Sequence, residues 1–95
     1  MINDKNLNKI GIVGAGTMGN GIAHTSAFFG HKTIIVDLKD EYVNDGLLNI
    51  KKNLGRQLKK DLITLSEMES ALSNISTSTD YNSLSEQDIV IEAAT

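Results

Sequence analysis

Gly14-Ala15-Gly16-Thr17-Met18-Gly19 forms a G-x-G-x-x-G between a short β-branched run and an amphipathic stretch. No other feature limits the fold of this chain as strongly. The run before it, Ile10-Gly11-Ile12-Val13, reads as a buried strand. The stretch after it, Thr17 to Phe29, reads as a helix with Met18, Ile22, Ser26 and Phe29 on one face. In that setting each glycine has a task. Gly14 permits a tight turn, Gly16 lets backbone approach a pyrophosphate, and Gly19 lets the helix lie close on the strand. The helix N-terminus adds free N–H groups and the positive end of a dipole, so an anion is held there without Lys or Arg.

A second β-branched run, Thr33-Ile34-Ile35-Val36, follows the helix and ends at Asp37, which lies 18 residues past Gly19. That is the distance at which a carboxylate meets the ribose 2′-OH of a bound dinucleotide. Strand, glycine loop, helix, strand and acid agree in order and spacing, which a ligand-free glycine turn does not require. A carboxylate at Asp37 accepts from a 2′-OH and repels a 2′-phosphate, so NAD is expected over NADP. Lys39, two residues on, works against that preference.

Further along, Gly30 is placed to end the first helix in a left-handed conformation. Asp40 suits an N-cap, and Val43, Leu47, Ile50, Leu54 and Leu58 recur at helical spacing over about five turns. Gly46 and Gly55 fall inside that helix without a packing reason visible in the sequence. Thr64-Leu65-Ser66-Glu67 is a capping box for a shorter helix carrying Leu65, Met68 and Leu72 and ending near Asn74. Ile75 to Ser78 reads as a short strand, Thr79 to Glu86 as a polar connection with one helical turn, and Asp88 to Ala94 as a last buried strand. Asn3 to Lys9 is a polar lead into the first strand.

This order predicts an α/β fold of the Rossmann type: a doubly wound, mostly parallel sheet whose fourth strand returns beside the first. Ala93 and Ala94 then stand at the rim of the crevice between those strands, small enough to admit a cofactor. Half of such a sheet leaves an edge uncovered, so residues 1–95 read as the front of a longer chain.

Composition narrows the partners. The chain has no Cys, hence no disulfide framework and no thiolate metal site or nucleophile, and its acids and histidines show no metal-ligand spacing. No apolar run reaches the length of a membrane span and Met1 to Asn8 lacks the apolar core of a signal peptide, so a cytoplasmic setting is expected. The net charge of −3 hides an asymmetry: five of the nine Lys and Arg (Lys51, Lys52, Arg56, Lys59, Lys60) share one ten-residue window without an acid. The remainder, at −8, argues against a nucleic-acid surface. Lys51, Lys52 and Arg56 read as solvated charges toward a helix C-terminus, while Lys59 and Lys60 at its end are candidates for a phosphate. Neither His24 nor His31 is positioned to act as the base of a hydride transfer.

With these residues in view, the chain from Lys9 onward resembles the N-terminal part of the 3-hydroxyacyl-CoA dehydrogenases, near their 3-hydroxybutyryl-CoA branch. The likeness runs through Ile10 to Ala23, Gly30-His31, Val36-Asp37, Asn53-Leu54, Lys59-Lys60, Ile75-Ser76 and Val90-Ile91-Glu92-Ala93-Ala94. It implies oxidation of a 3-hydroxyacyl-CoA to its 3-ketoacyl-CoA with NAD, or the reverse. It implies cofactor contacts at Gly14, Ala15, Gly16, Thr17, Met18, Gly19, Asp37, Ala93 and Ala94, and coenzyme A contacts at Asn53 and Lys60. The family's catalytic His, its Glu partner and its helical substrate and dimerisation domain lie beyond Thr95. The fragment is therefore expected to be inactive alone, and the full-length protein to be a homodimer. Two other functions fit the same glycine loop: a 3-hydroxyisobutyrate-type dehydrogenase, which has no use for Lys60, and a non-catalytic NAD(H)-sensing module.

Overall fold

The computed structural model describes residues 8–94. The polar lead expected at Asn3 to Lys9 falls, as far as Leu7, outside the described residues, as does Thr95. The elements run β1 (Lys9–Val13), α1 (Thr17–Phe28), β2 (Lys32–Val36), α2 (Asp40–Lys59), α3 (Leu65–Ser73), β3 (Ile75–Ser78), a 3-10 segment (Tyr81–Glu86) and β4 (Ile89–Glu92).

The four strands form one parallel sheet in the order β3-β2-β1-β4, so the fourth strand does return beside the first. Gly11 pairs with Ile34 on one side and Val90 on the other, and Val13 with Val36 and Glu92. Parallel neighbours require crossovers, and right-handed connections put α1 and the α2–α3 pair on one face of the sheet. The opposite face of β1 meets the 3-10 segment, where a Cβ on Gly11 would lie 2.6 Å from the Leu84 side chain. Ile12, Ala23, Ile35, Val43, Ile50 and Leu54 are buried together between sheet and helices.

Three expectations are corrected. The buried positions of α1 are Gly19, Asn20, Ala23 and Ala27, and of the four residues expected to share its apolar face only Ile22 packs against the core. Small side chains let the helix axis approach the strands, and Met18 and Phe29 are left 58% and 72% exposed. The last strand is less buried than expected: Ile89 and Val90 are 44% and 49% exposed, and among the described residues β4 pairs with β1 on one side. The N-cap of α2 is Lys39, and Asp40 is the first helical residue, where its charge meets the helix dipole together with Glu41.

The helix ends follow the sequence closely. Gly30, at φ 97°, closes α1: its N–H donates to Ala27 O and that of His31 to Ser26 O, which is a Schellman motif. The capping box forms, Glu67 N–H donating to Thr64 Oγ1 and Thr64 N–H to Glu67 Oε1. The end of α2 repeats the Schellman pattern with Asp61 at φ 59°, its N–H donating to Leu58 O and that of Leu62 to Gln57 O. A left-handed aspartate at the negative end of a helix is unfavourable on both counts. Asp61→Gly is accordingly expected to stabilise the chain by about 0.5–1 kcal/mol, read as a raised urea midpoint at unchanged slope.

Candidate functional site

Three segments converge at the C-terminal end of β1. The chain leaves the strand at Gly14, whose φ of 107° belongs to the left-handed region that favours glycine. A Cβ there would come within 2.8 Å of the Ala94 nitrogen, so the backbone following β4 runs directly against the turn. A Cβ on Gly19 would overlap the Gly14 carbonyl oxygen, so a hydrogen at that position is what lets α1 rest on the loop. Gly16, by contrast, faces open space.

Helix α1 begins at Thr17 with Gly16 as its N-cap, and no side chain caps it. Its first turn holds no acid, and Gly16, Thr17 and Met18 are exposed. The first N–H groups of a helix have no intrahelical acceptor, so this end offers donors and a partial positive charge to an incoming anion.

Asp37 follows β2 and turns its carboxylate toward the loop. Its Oδ2 accepts the Ala15 N–H at 2.8 Å and its Oδ1 accepts the Leu38 N–H at 2.7 Å. Beside it the Gly14 N–H donates to Val36 O at 2.8 Å. Gly14, Gly16, Thr17, Met18, Asp37, Ala93 and Ala94 line one cleft of about 720 Å³, within the range of small-ligand sites. Ala15 and Gly19 are buried behind it. The cleft lies between the C-terminal ends of β1 and β4, where the strand order reverses. Two further residues join the lining, Leu38 and Tyr42, with the Lys39 ammonium 5.7 Å from the centre of the Tyr42 ring. Sequence spacing pointed to neither; the signal is their place in the first turns after an acid-ended strand.

Asn53 and Lys60 lie apart from this cleft, in a polar groove of about 420 Å³ between α1 and α2. His24, Arg56 and Gln57 share it, and the Arg56 guanidinium donates to Asn53 Oδ1. Gln57 Oε1 is buried with no hydrogen-bond partner among the described residues. Of the basic window, Arg56 and Lys60 thus reach the groove, whereas Lys51, Lys52 and Lys59 are exposed away from its lining. The spacing of Asn53, Arg56, Gln57 and Lys60 is that of one helical face, a pattern visible in the sequence once α2 is drawn as a helix. His24 belongs to this groove, and His31 precedes β2 at the end of the sheet opposite the glycine loop.

Sheet order, glycine turn, uncapped helix and strand-end carboxylate define an α/β domain of the Rossmann type. The chain belongs to the family described as 3-hydroxyacyl-CoA dehydrogenase, NAD binding domain, which matches residues 9–95. It is 38% identical over 88 residues to a 3-hydroxybutyryl-CoA dehydrogenase of Bradyrhizobium diazoefficiens, covering 93% of this chain and 30% of that protein. It is 37% identical over 89 residues to a fatty acid oxidation complex subunit alpha of Colwellia psychrerythraea, covering 94% of this chain and 12% of that subunit. Among solved structures, (S)-3-hydroxybutyryl-CoA dehydrogenase from Ralstonia eutropha superposes with a TM-score of 0.91 at 46% identity, over 95% of this chain and 32% of that one. The chain thus spans about a third, or less, of the length of these relatives. Among the described residues no helix is long and apolar enough to cross a membrane.

Proposed function

We propose that this chain is the cofactor-binding part of an NAD-dependent oxidoreductase that interconverts 3-hydroxyacyl-CoA and 3-ketoacyl-CoA, with 3-hydroxybutyryl-CoA as substrate, in fatty acid and butanoate metabolism. The observation that carries this reading is the cleft at the β1–β4 switch point, where an uncapped helix terminus, a glycine turn and a strand-end carboxylate meet. The names of the relatives support the substrate class.

In this reading Gly14, Ala15, Gly16, Thr17, Met18 and Gly19 form the pyrophosphate turn, and Ala93 and Ala94 leave room for the cofactor to cross the sheet edge. Each oxygen of Asp37 has accepted one N–H, which leaves lone pairs for ribose hydroxyls. The same carboxylate repels a 2′-phosphate, and Lys39 is engaged over the Tyr42 ring, so both observations support NAD over NADP. NAD, when bound, supplies the hydride acceptor. Asn53 and Lys60 would meet the phosphate-bearing end of coenzyme A in the groove between α1 and α2, where Arg56 and His24 add donors.

Neither His24 nor His31 lines the cleft, which supports a proton acceptor supplied by the whole enzyme from beyond these 95 residues and an isolated chain that is inactive. The whole enzyme, by the same reading, is a cytoplasmic homodimer.

Calorimetric titration tests these assignments. NADH is expected to bind more tightly than NADPH, and Asp37→Ala to weaken NADH at least about tenfold while narrowing the gap to NADPH. Acetoacetyl-CoA binding is expected to fall in Lys60→Ala without change in NADH affinity. An intact chain that prefers NADPH, or that turns over 3-hydroxybutyryl-CoA unaided, contradicts the reading.

A further inference from the structure

Ala15 is held by side chains at both of its backbone polar groups, which belong to the two successive peptides on either side of its Cα. Its N–H is taken by Asp37 Oδ2 at 2.8 Å, from the end of β2. Its carbonyl oxygen receives Asn20 Nδ2 at 3.4 Å, from the first turn of α1, and the same Nδ2 donates to Gly16 O at 2.8 Å. Asn20 is one of the two buried polar residues among those described, 5% exposed, and it occupies the helix face that otherwise holds Gly19, Ala23 and Ala27. A buried amide in a row of small residues needs partners, and the partners it has are the two loop carbonyls.

The chemistry of an anion-binding turn gives this arrangement a purpose. A pyrophosphate is attracted by N–H groups and repelled by carbonyl oxygens, so the turn works only if its carbonyls are directed away from the cleft. The Gly16 carbonyl already accepts the Asn20 backbone N–H at 2.8 Å, and the Asn20 side chain adds a second bond to it and holds the Ala15 carbonyl on the buried side, while the N-terminal amides of α1 remain uncapped on the open side. Asp37 holds the preceding Gly14–Ala15 peptide from the opposite edge by its N–H.

We propose that Asn20 and Asp37 clamp Ala15 between them, one on each of its two flanking peptides, and hold the glycine loop in its anion-binding form before a ligand arrives. Asn20 is thereby a positioning residue for the cofactor, and Asp37 serves the loop and the ligand with one carboxylate. The inference rests on the dinucleotide reading for its purpose, but its geometry is testable without any ligand.

Two measurements on the 95-residue chain separate the two ideas. Amide hydrogen exchange of the ligand-free chain is expected to show a protected Ala15 N–H, with that protection lost in Asp37→Ala and reduced in Asn20→Ala. NADH titration is expected to show about tenfold weaker binding for Asn20→Ala, and intermediate binding for Asn20→Ser, whose hydroxyl can donate to the carbonyl four residues back at Gly16 but leaves the Ala15 carbonyl unheld. A merely structural Asn20 would give Ser and Ala variants of equal affinity. Equal affinity in the two variants, or unchanged Ala15 exchange in a folded Asn20→Ala chain, overturns the clamp. If the Ala variant does not fold, the Ser variant decides: unaltered loop exchange with tenfold weaker NADH binding would also overturn it. Protection of Ala15 that depends on Asn20, in a chain that binds no NADH, would uphold the clamp and refute the cofactor reading instead.

Discussion

Gly19→Ala is expected to abolish NADH binding and to destabilise the chain by about 3 kcal/mol or more. The added methyl would overlap the Gly14 carbonyl oxygen, which is backbone and cannot rotate aside. Nor can Gly14 retreat: its N–H is bonded to Val36 O at 2.8 Å, and the backbone of Ala93 and Ala94 lies against its other side. Helix α1 must therefore lift from the loop or the turn must break, and either displaces the uncapped amides that face the cleft. Helix propensity alone predicts the opposite sign, a gain of up to about 1 kcal/mol for Gly→Ala within a helix. Urea unfolding together with NADH titration checks the result. A Gly19→Ala chain as stable as the parent, with intact affinity, would refute the close packing of α1 on Gly14.

The parts of the fold that were legible in the sequence are those governed by local spacing. The glycine loop between strand and helix, Asp37 at the end of the second strand, the Thr64–Glu67 box and the helix stop at Gly30 each involve a few neighbouring residues whose chemistry permits few alternatives. What escaped depends on contacts between distant segments. Large apolar residues ordinarily go inside, whereas this helix packs so closely that Gly19, Ala23 and Ala27 face inward and Phe29 outward. The β-branched composition of Ile89 to Ile91 marks a strand, but its burial depends on what lies beside it, which among the described residues is β1 on one side. Asn20 gave no signal because its partners are carbonyls that the loop brings together only after it has curved. The groove shared by His24 with Arg56 and Lys60 needed two helices to be laid side by side, since 32 residues separate His24 from Arg56 in the chain.

The two glycines inside α2 form the sharpest pair of opposed expectations. Sequence treats them alike, as helix positions each about 1 kcal/mol worse than alanine. The structure separates them. A Cβ on Gly46 would stand 2.7 Å from the Ala15 carbonyl oxygen and 3.1 Å from the Ala15 Cβ, whereas one on Gly55 meets nothing within 4 Å. Gly55→Ala is expected to stabilise the chain by up to about 1 kcal/mol and to leave NADH binding unchanged. Gly46→Ala is expected to destabilise it by about 1–3 kcal/mol, because the new methyl presses on a peptide that cannot turn. The carbonyl that the methyl meets is held by Asn20 and the N–H of the preceding peptide by Asp37, so strain entering from α2 passes directly into the glycine loop. NADH affinity should therefore fall with stability in the Gly46 variant. Equal stabilisation by both substitutions would mean that α2 does not press on the glycine loop.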